Sequence, residues 1–204
     1  MKNYFFSASY KLLLHASVLA NLYLLLSKSL LAEDIVNMEE QVELCNSCHG
    51  EDGAEPIDKS IPIIAGQSFY YLYVQLKDLK SKLRENEIMN PIVEELDKKT
   101  MKSLALFYSE KQWPTNNNRF ELSKDENSIL LSFESGQCTV CHMGQFEGNN
   151  SDVPKLAGQN FEYLYKTMLD YKNKIRMNAP PMSSLMVPYL DEDIKAMSEY
   201  LANL

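Results

Sequence analysis

The stretch CNSCHGEDG, residues 45–53, decides how this sequence is read, and CTVCHMGQF at 138–146 repeats its opening. The two copies use all four cysteines of the chain, Cys45, Cys48, Cys138 and Cys141. Of the three histidines, His15, His49 and His142, the last two each directly follow a CxxC pair. Three chemistries compete for a CxxC: a zinc knuckle, a redox dithiol, and covalent haem attachment when histidine comes next. Four sulfurs drawn together suit zinc, but that leaves both adjacent histidines unexplained. A thioredoxin-like dithiol needs alternating strands and helices nearby, and the pattern contains none. A disulfide across two residues closes too small a loop to constrain the unfolded chain much. The doubled CxxCH therefore reads as two covalently bound haem c groups.

An internal repeat organises everything around these motifs. Cys45 and Cys138 are 93 residues apart, as are His49 and His142. AGQSFYYLYVQLKDLKSK (65–82) aligns with AGQNFEYLYKTMLDYKNK (157–174) at an offset of 92, with 10 of 18 positions identical. Met89 and Met182 return to an offset of 93. Self-similarity on this scale means one structural unit used twice, and a small core is helped by a covalently held staple. Each unit reads as helices and one long loop. In the first, helices are expected near 38–47, over 68–83 with Ser68 as N-cap, and from Asp97 onward with Met101, Leu104, Ala105 and Tyr108 facing inward. Residues 50–62 and the segment holding Met89 and Pro91 read as loops. In the second, helices are expected near 126–139, 160–175 and 191–203. No period-two pattern of useful length occurs, so the class is all-α. The expected layout is a leader over 1–32, a first domain over 33–110, a linker over 111–125 containing Trp113-Pro114, and a second domain over 126–204.

If haem is attached, His49 and His142 are the proximal iron ligands, because one helical turn presents both sulfurs and the imidazole together. Each ring should give its other N–H to a backbone carbonyl, fixing its tautomer. Pro62 and Pro154 lie 13 and 12 residues beyond their histidines and are the candidates. With His15 in a segment expected to be removed, no cysteine or histidine remains for the sixth position, which leaves methionine, lysine, tyrosine, an amine terminus or nothing. Met89 and Met182 each lie 40 residues after their histidine, beside Pro91 and beside Pro180 and Pro181. Met177 and Met186 are rivals for the second site. A His/Met pair raises the reduction potential, and six-coordinate iron leaves no vacant position for a substrate. Gly66-Gln67 and Gly158-Gln159 are expected to turn the chain into the long helices, the glycines allowing close approach to haem. Tyr71, Tyr73, Tyr163 and Tyr165 are expected to pack, and Arg84 and Arg176 to neutralise haem propionates.

The first 32 residues carry Lys2, Lys11 and Lys28, no acid, and an almost wholly apolar run over 12–26. That is a signal-peptide layout, with Ala32 the expected end; the competing reading, an uncleaved anchor, would associate the chain with a membrane. Export suits haem attachment, and the expected location is the periplasm. Losing the leader deepens the net charge of −8 by three. Such acidity excludes nucleic acid as a partner and favours brief docking on basic surfaces of redox proteins.

With these residues in view, the chain resembles the exported di-haem c-type cytochromes of the cytochrome c4 family. The likeness runs through CNSCHGEDG, IPIIAGQSFYYLYVQL, LRENEIM and TMKSLALFYS, then CTVCH, VPKLAGQNFEYLYKTM, PPM and DIKAMSEYL. The resemblance implies two tandem class I cytochrome c domains. It also implies electron transfer in a respiratory chain, from a quinol-oxidising complex to a terminal oxidase or another acceptor. Met143 departs from the pattern, standing where the family has a glycine after CxxCH, and EGNNSD is irregular. The second repeat is also similar to the haem subunit of flavocytochrome c sulfide dehydrogenase, which accepts electrons from a flavoprotein. Three readings follow: a free carrier, an electron-accepting subunit of a dehydrogenase, and a two-haem peroxidase, which needs an iron that opens.

Overall fold

The computed structural model describes residues 15, 19, 21, 23, 38–114, 137–149 and 151–204. Two compact units divide the chain. In the first, Met1–Gln41, residues 15, 19, 21 and 23 are helical and exposed. Apart from those four, the leader expectation over 1–32 lies outside the described residues, as do 115–125 of the expected linker and 126–136 of the expected helix. No helix among the described residues is long and apolar enough to cross a membrane.

The second unit, Val42–Leu204, holds both repeats. Helix α1 (38–49) delivers His49 as its last residue, and a single 3-10 turn at Glu51–Gly53 opens the long loop. Helix α2 spans Phe69–Lys80, α3 Met89–Glu94 and α4 Lys98–Ser109. In the second repeat α5 is Cys138–His142, α6 Phe161–Lys172, α7 Pro180–Met186 and α8 Asp191–Asn203. The described residues contain no strand, so the molecule is all-α, as the periodicity predicts.

Local chemistry explains the boundaries. The Asp97 carboxylate accepts the Thr100 N–H at 2.7 Å and starts α4. Asp191, Glu192 and Asp193 crowd the first turn of α8, where the helix dipole favours negative charge. Ser68 occupies the N-cap position of α2, but its hydroxyl donates instead to the Ser151 carbonyl at 2.5 Å, across to the other repeat. The segments read as methionine loops are short helices, because proline fits a first helical turn rather than only breaking one. Pro180 stands at the first position of α7. In α3 the Asn86 side chain accepts the N–H groups of Ile88 and Met89 at 3.1 and 2.8 Å.

Packing repeats as the sequence does. Helix α2 lies on α3 and α4, and α6 lies on α7 and α8. The first core uses Met101, Leu104, Ala105 and Tyr108 of α4, all buried, with Leu72, Leu79 and Val93. The second uses Leu164, Met168, Met186, Ile194, Met197 and Leu201. Phe69 stacks on Tyr73 and Phe161 on Tyr165, with ring centroids 6.3 and 6.0 Å apart.

The glycines of the two AGQ turns have left-handed backbones, φ 61° at Gly66 and 75° at Gly158. Trp113 crowds both of them. A Cβ on Gly66 would lie 2.8 Å from the Trp113 backbone nitrogen, and one on Gly158 would lie 3.3 Å from the indole nitrogen. The Lys155 ammonium caps the Trp113 ring at 4.9 Å. Trp113, read from sequence as linker, therefore sits between the two turns.

Candidate haem sites

The first CxxCH ends α1 and the second makes up α5, and each histidine is buried against its own loop. His49 Nδ1 lies 2.8 Å from the Pro62 carbonyl oxygen, and His142 Nδ1 lies 2.9 Å from that of Pro154. The donated N–H belongs to Nδ1, which leaves Nε2 as the nitrogen able to bind a metal. Burial pushes the pKa of both imidazoles down, the proline carbonyls opposing it, and Arg84 adds to the depression at His49. Both rings are thus neutral near neutral pH, the state in which imidazole ligates iron.

The carbonyls are themselves pinned. The Gly53 carbonyl accepts the N–H groups of Ile64 and Ala65, just beyond Pro62. The Phe146 carbonyl does the same for Leu156 and Ala157, just beyond Pro154. Gly53 and Phe146 are equivalent positions, 93 apart, and both are left-handed, φ 75° and 55°. Phe146 meets Tyr200 edge-on at 6.3 Å and is buried.

All four cysteines are unpaired thiols. Burial raises the Cys45 thiol, and burial with the neighbouring Cys141 pushes Cys138 up to about 11. A redox dithiol needs a lowered thiol pKa, so Cys45 and Cys138 are poor disulfide-exchange groups. No three histidine, cysteine or acidic side chains among the described residues are placed to hold a metal ion, so the four-sulfur zinc set is not assembled. Unpaired thiols one turn apart, beside an imidazole with a fixed tautomer, fit attachment of haem c.

Met89 and Met182 are both half-buried, at the first residue of α3 and the third of α7. Met177 is 51% exposed. Met186 is 2% exposed, in the hydrophobic core, and its equivalent 93 residues earlier is Val93, also fully buried. Met186 thus packs within the second core.

The repeats meet through polar groups that the sequence did not reveal. The Gln67 amide donates to the Lys155 carbonyl at 3.0 Å and accepts the Lys155 N–H at 2.8 Å. Gln159 donates to the Ile63 carbonyl at 2.9 Å and accepts the Ile63 N–H at 2.8 Å. Both pairings convert into each other by the 92-residue offset, a local two-fold relation. Arg84 donates to Tyr163 at 3.3 Å and Arg176 to Tyr71 at 3.4 Å, again exchanged by that offset, while both guanidiniums share Gln75 Oε1. Burial alone would raise the Tyr163 phenol, but Arg84 and then Arg176 bring it down to about 7. The only sequence signal for these contacts was the repetition of the residues themselves.

A cytochrome c family profile matches residues 132–204, which contain the second CxxCH. Cytochrome c4 of Stutzerimonas stutzeri is 27% identical over 80% of this chain and 86% of its own length. The thiosulfate dehydrogenase electron acceptor of S. stutzeri strain A1501 is 28% identical over 78% of each chain. The solved structure of Acidithiobacillus ferrooxidans cytochrome c4 superposes with a TM-score of 0.69 at 25% identity, covering 78% of this chain and 98% of that one. The chain is a homologue of the cytochromes c4. Its fold is accordingly the two-domain all-α fold of the solved cytochrome c4. In this cytochrome c4 homologue the similarity spans both repeats, although the profile covers only the second.

Proposed function

We propose that the chain is a periplasmic carrier that moves electrons one at a time through two haem c groups, one per repeat. Bound haem supplies a ferric/ferrous couple. The protein's part is attachment and ligation: thioether links at Cys45 and Cys48, and at Cys138 and Cys141, with His49 and His142 as proximal ligands. The repeated His–Pro hydrogen bond carries the reading, because it fixes the tautomer needed for ligation at both sites.

Met89 and Met182 are assigned as the sixth ligands. Their half-burial, their shared distance from the histidines and the core position of Met186 support the choice. Thioether ligation favours ferrous iron and raises the potential. We assign residues 33–110 and 126–204 as the two domains, 111–125 as the connection, and 1–32 as an export leader. The partners are redox proteins with basic docking faces, a quinol-oxidising complex and a terminal oxidase among them.

A second reading makes the chain the electron-accepting subunit of a dehydrogenase, of the kind found in flavocytochrome c sulfide dehydrogenase. It is favoured by the likeness to a protein named as a thiosulfate dehydrogenase electron acceptor. Affinity purification of the exported protein from its host separates the two readings. A carrier elutes alone; a subunit brings a stoichiometric dehydrogenase. A redox titration tests the ligand set. Met89→Ala and Met182→Ala should each lower one potential and leave the other, and unchanged potentials in both would reject the assignment.

A further inference from the structure

We propose that each repeat positions the proximal histidine of the other, Gln67 acting on His142 and Gln159 on His49. The inference rests on the assignment of those histidines as iron ligands.

A peptide group is one planar unit, carbonyl on one side and N–H on the other. The carbonyl that accepts the His142 Nδ1–H belongs to Pro154, and the N–H of that same peptide belongs to Lys155. The Lys155 N–H donates to Gln67 Oε1 at 2.8 Å. A continuous chain results, from imidazole N–H to peptide carbonyl, through the peptide, to an amide oxygen of the other repeat. The second chain is built alike: His49 to Pro62, and the Ile63 N–H to Gln159 Oε1 at 2.8 Å. Hydrogen bonds in series polarise one another. An acceptor on the N–H side therefore makes the proline oxygen a stronger acceptor for the imidazole, and a more strongly bonded imidazole is a more basic ligand.

Both glutamines are built for the task. Each is only 3% exposed, so water does not replace its oxygen. Each amide also donates to the carbonyl of the residue it grips, at 3.0 Å for Gln67 and 2.9 Å for Gln159. Each oxygen further accepts the N–H of the following residue, Ser68 or Asn160, which locks its orientation. Ligand basicity in one half is thereby tied to contact with the other. A separation of the halves loosens both imidazoles together.

The test uses the full di-haem protein with Gln67→Leu, Gln67→Met and Gln67→Glu, the reciprocal changes at Gln159, and a redox titration. Met182→Ala identifies which potential belongs to the second haem. Gln67→Leu should make the second haem easier to reduce. At fixed applied potential its oxidised-to-reduced ratio should fall by roughly two- to tenfold, the net worth of one hydrogen bond, with the first haem held within that margin. Gln159→Leu should do the reverse. Gln67→Glu keeps an oxygen on the Lys155 N–H and should hold the wild-type ratio or move it oppositely. Where leucine gives no holoprotein, methionine keeps the length without the amide. With labelled histidine, the His142 Nδ1–H should exchange with solvent faster in Gln67→Met and the His49 proton should not. Equal shifts of both haems, a shift of the first alone, or no shift overturns the proposal. If the wild-type protein carried no covalent haem, the ligand assignment itself would fail before any glutamine was changed.

Discussion

Met143 should be a position where glycine is more stable than alanine. It ends α5 with φ 67° and ψ 167°, a region that is essentially glycine-only. Its counterpart in the first repeat is Gly50, with φ 77° and ψ 171°. Holding a side chain there costs about 1–3 kcal/mol, whereas glycine's extra unfolded-state freedom costs about 0.5–1 kcal/mol. Met143→Gly should therefore exceed Met143→Ala by about 1 kcal/mol, reversing the usual order. Comparing these two variants removes the side chain from the question, since neither has the methionine's contacts and the residue is 44% exposed. Thermal unfolding followed by haem dichroism reads the difference, at about 4–8 °C per kcal/mol for a domain of this size. Gly50→Ala is the companion: its Cβ would lie 2.0 Å from the Glu55 carbonyl oxygen, so the loop must shift and the first domain should lose stability. If Met143→Ala proves the more stable variant by the ordinary margin, the backbone is not left-handed there.

Other outcomes follow from the same geometry. A Cβ on Gly148 would come within 2.6 Å of the Pro154 carbonyl carbon, so Gly148→Ala should weaken the His142 bond and raise the second potential alone; an unaltered potential would show that the loop yields freely. Tyr163 is an acid whose folded pKa, about 7, lies below its unfolded value of about 10. Its stabilising effect is present above the unfolded value and is lost as pH falls through 7, so stability should rise with pH between the two. Tyr163→Phe should flatten that rise in urea unfolding midpoints measured at neutral and alkaline pH; an identical slope would refute the charge pairing. Gly66→Ala, which would press a Cβ within 2.8 Å of the Trp113 nitrogen, should displace the Trp113 segment and change its fluorescence as the indole leaves its place beside Gly158 and Lys155; unchanged emission would count against that packing.

Much of the architecture was legible because it was written twice. The face of α4, the aspartate that starts it, and the proline carbonyls behind both histidines followed from residue type and repeated spacing. The short helices α3 and α7 were read as loops, since Pro91, Pro180 and Pro181 signal a break unless their place in a first turn is known. Trp113 and the paired glutamines were illegible for a different reason. The glutamine contacts join residues 88 and 96 positions apart, those of Trp113 join residues 42 to 47 apart, and no local pattern specifies which backbone group a buried amide will meet. Phe146 could be aligned with Gly53, but not seen to keep a left-handed backbone, because sequence favours glycine there.

The central claim is that two haem groups are joined covalently to this chain. The intact mass of the exported protein, produced with haem-attachment machinery, tests it most directly. The account predicts the polypeptide without residues 1–32 plus two haems, falling to one haem when Cys138 and Cys141 are both changed to alanine. A colourless protein with the mass of its amino acids alone would contradict it.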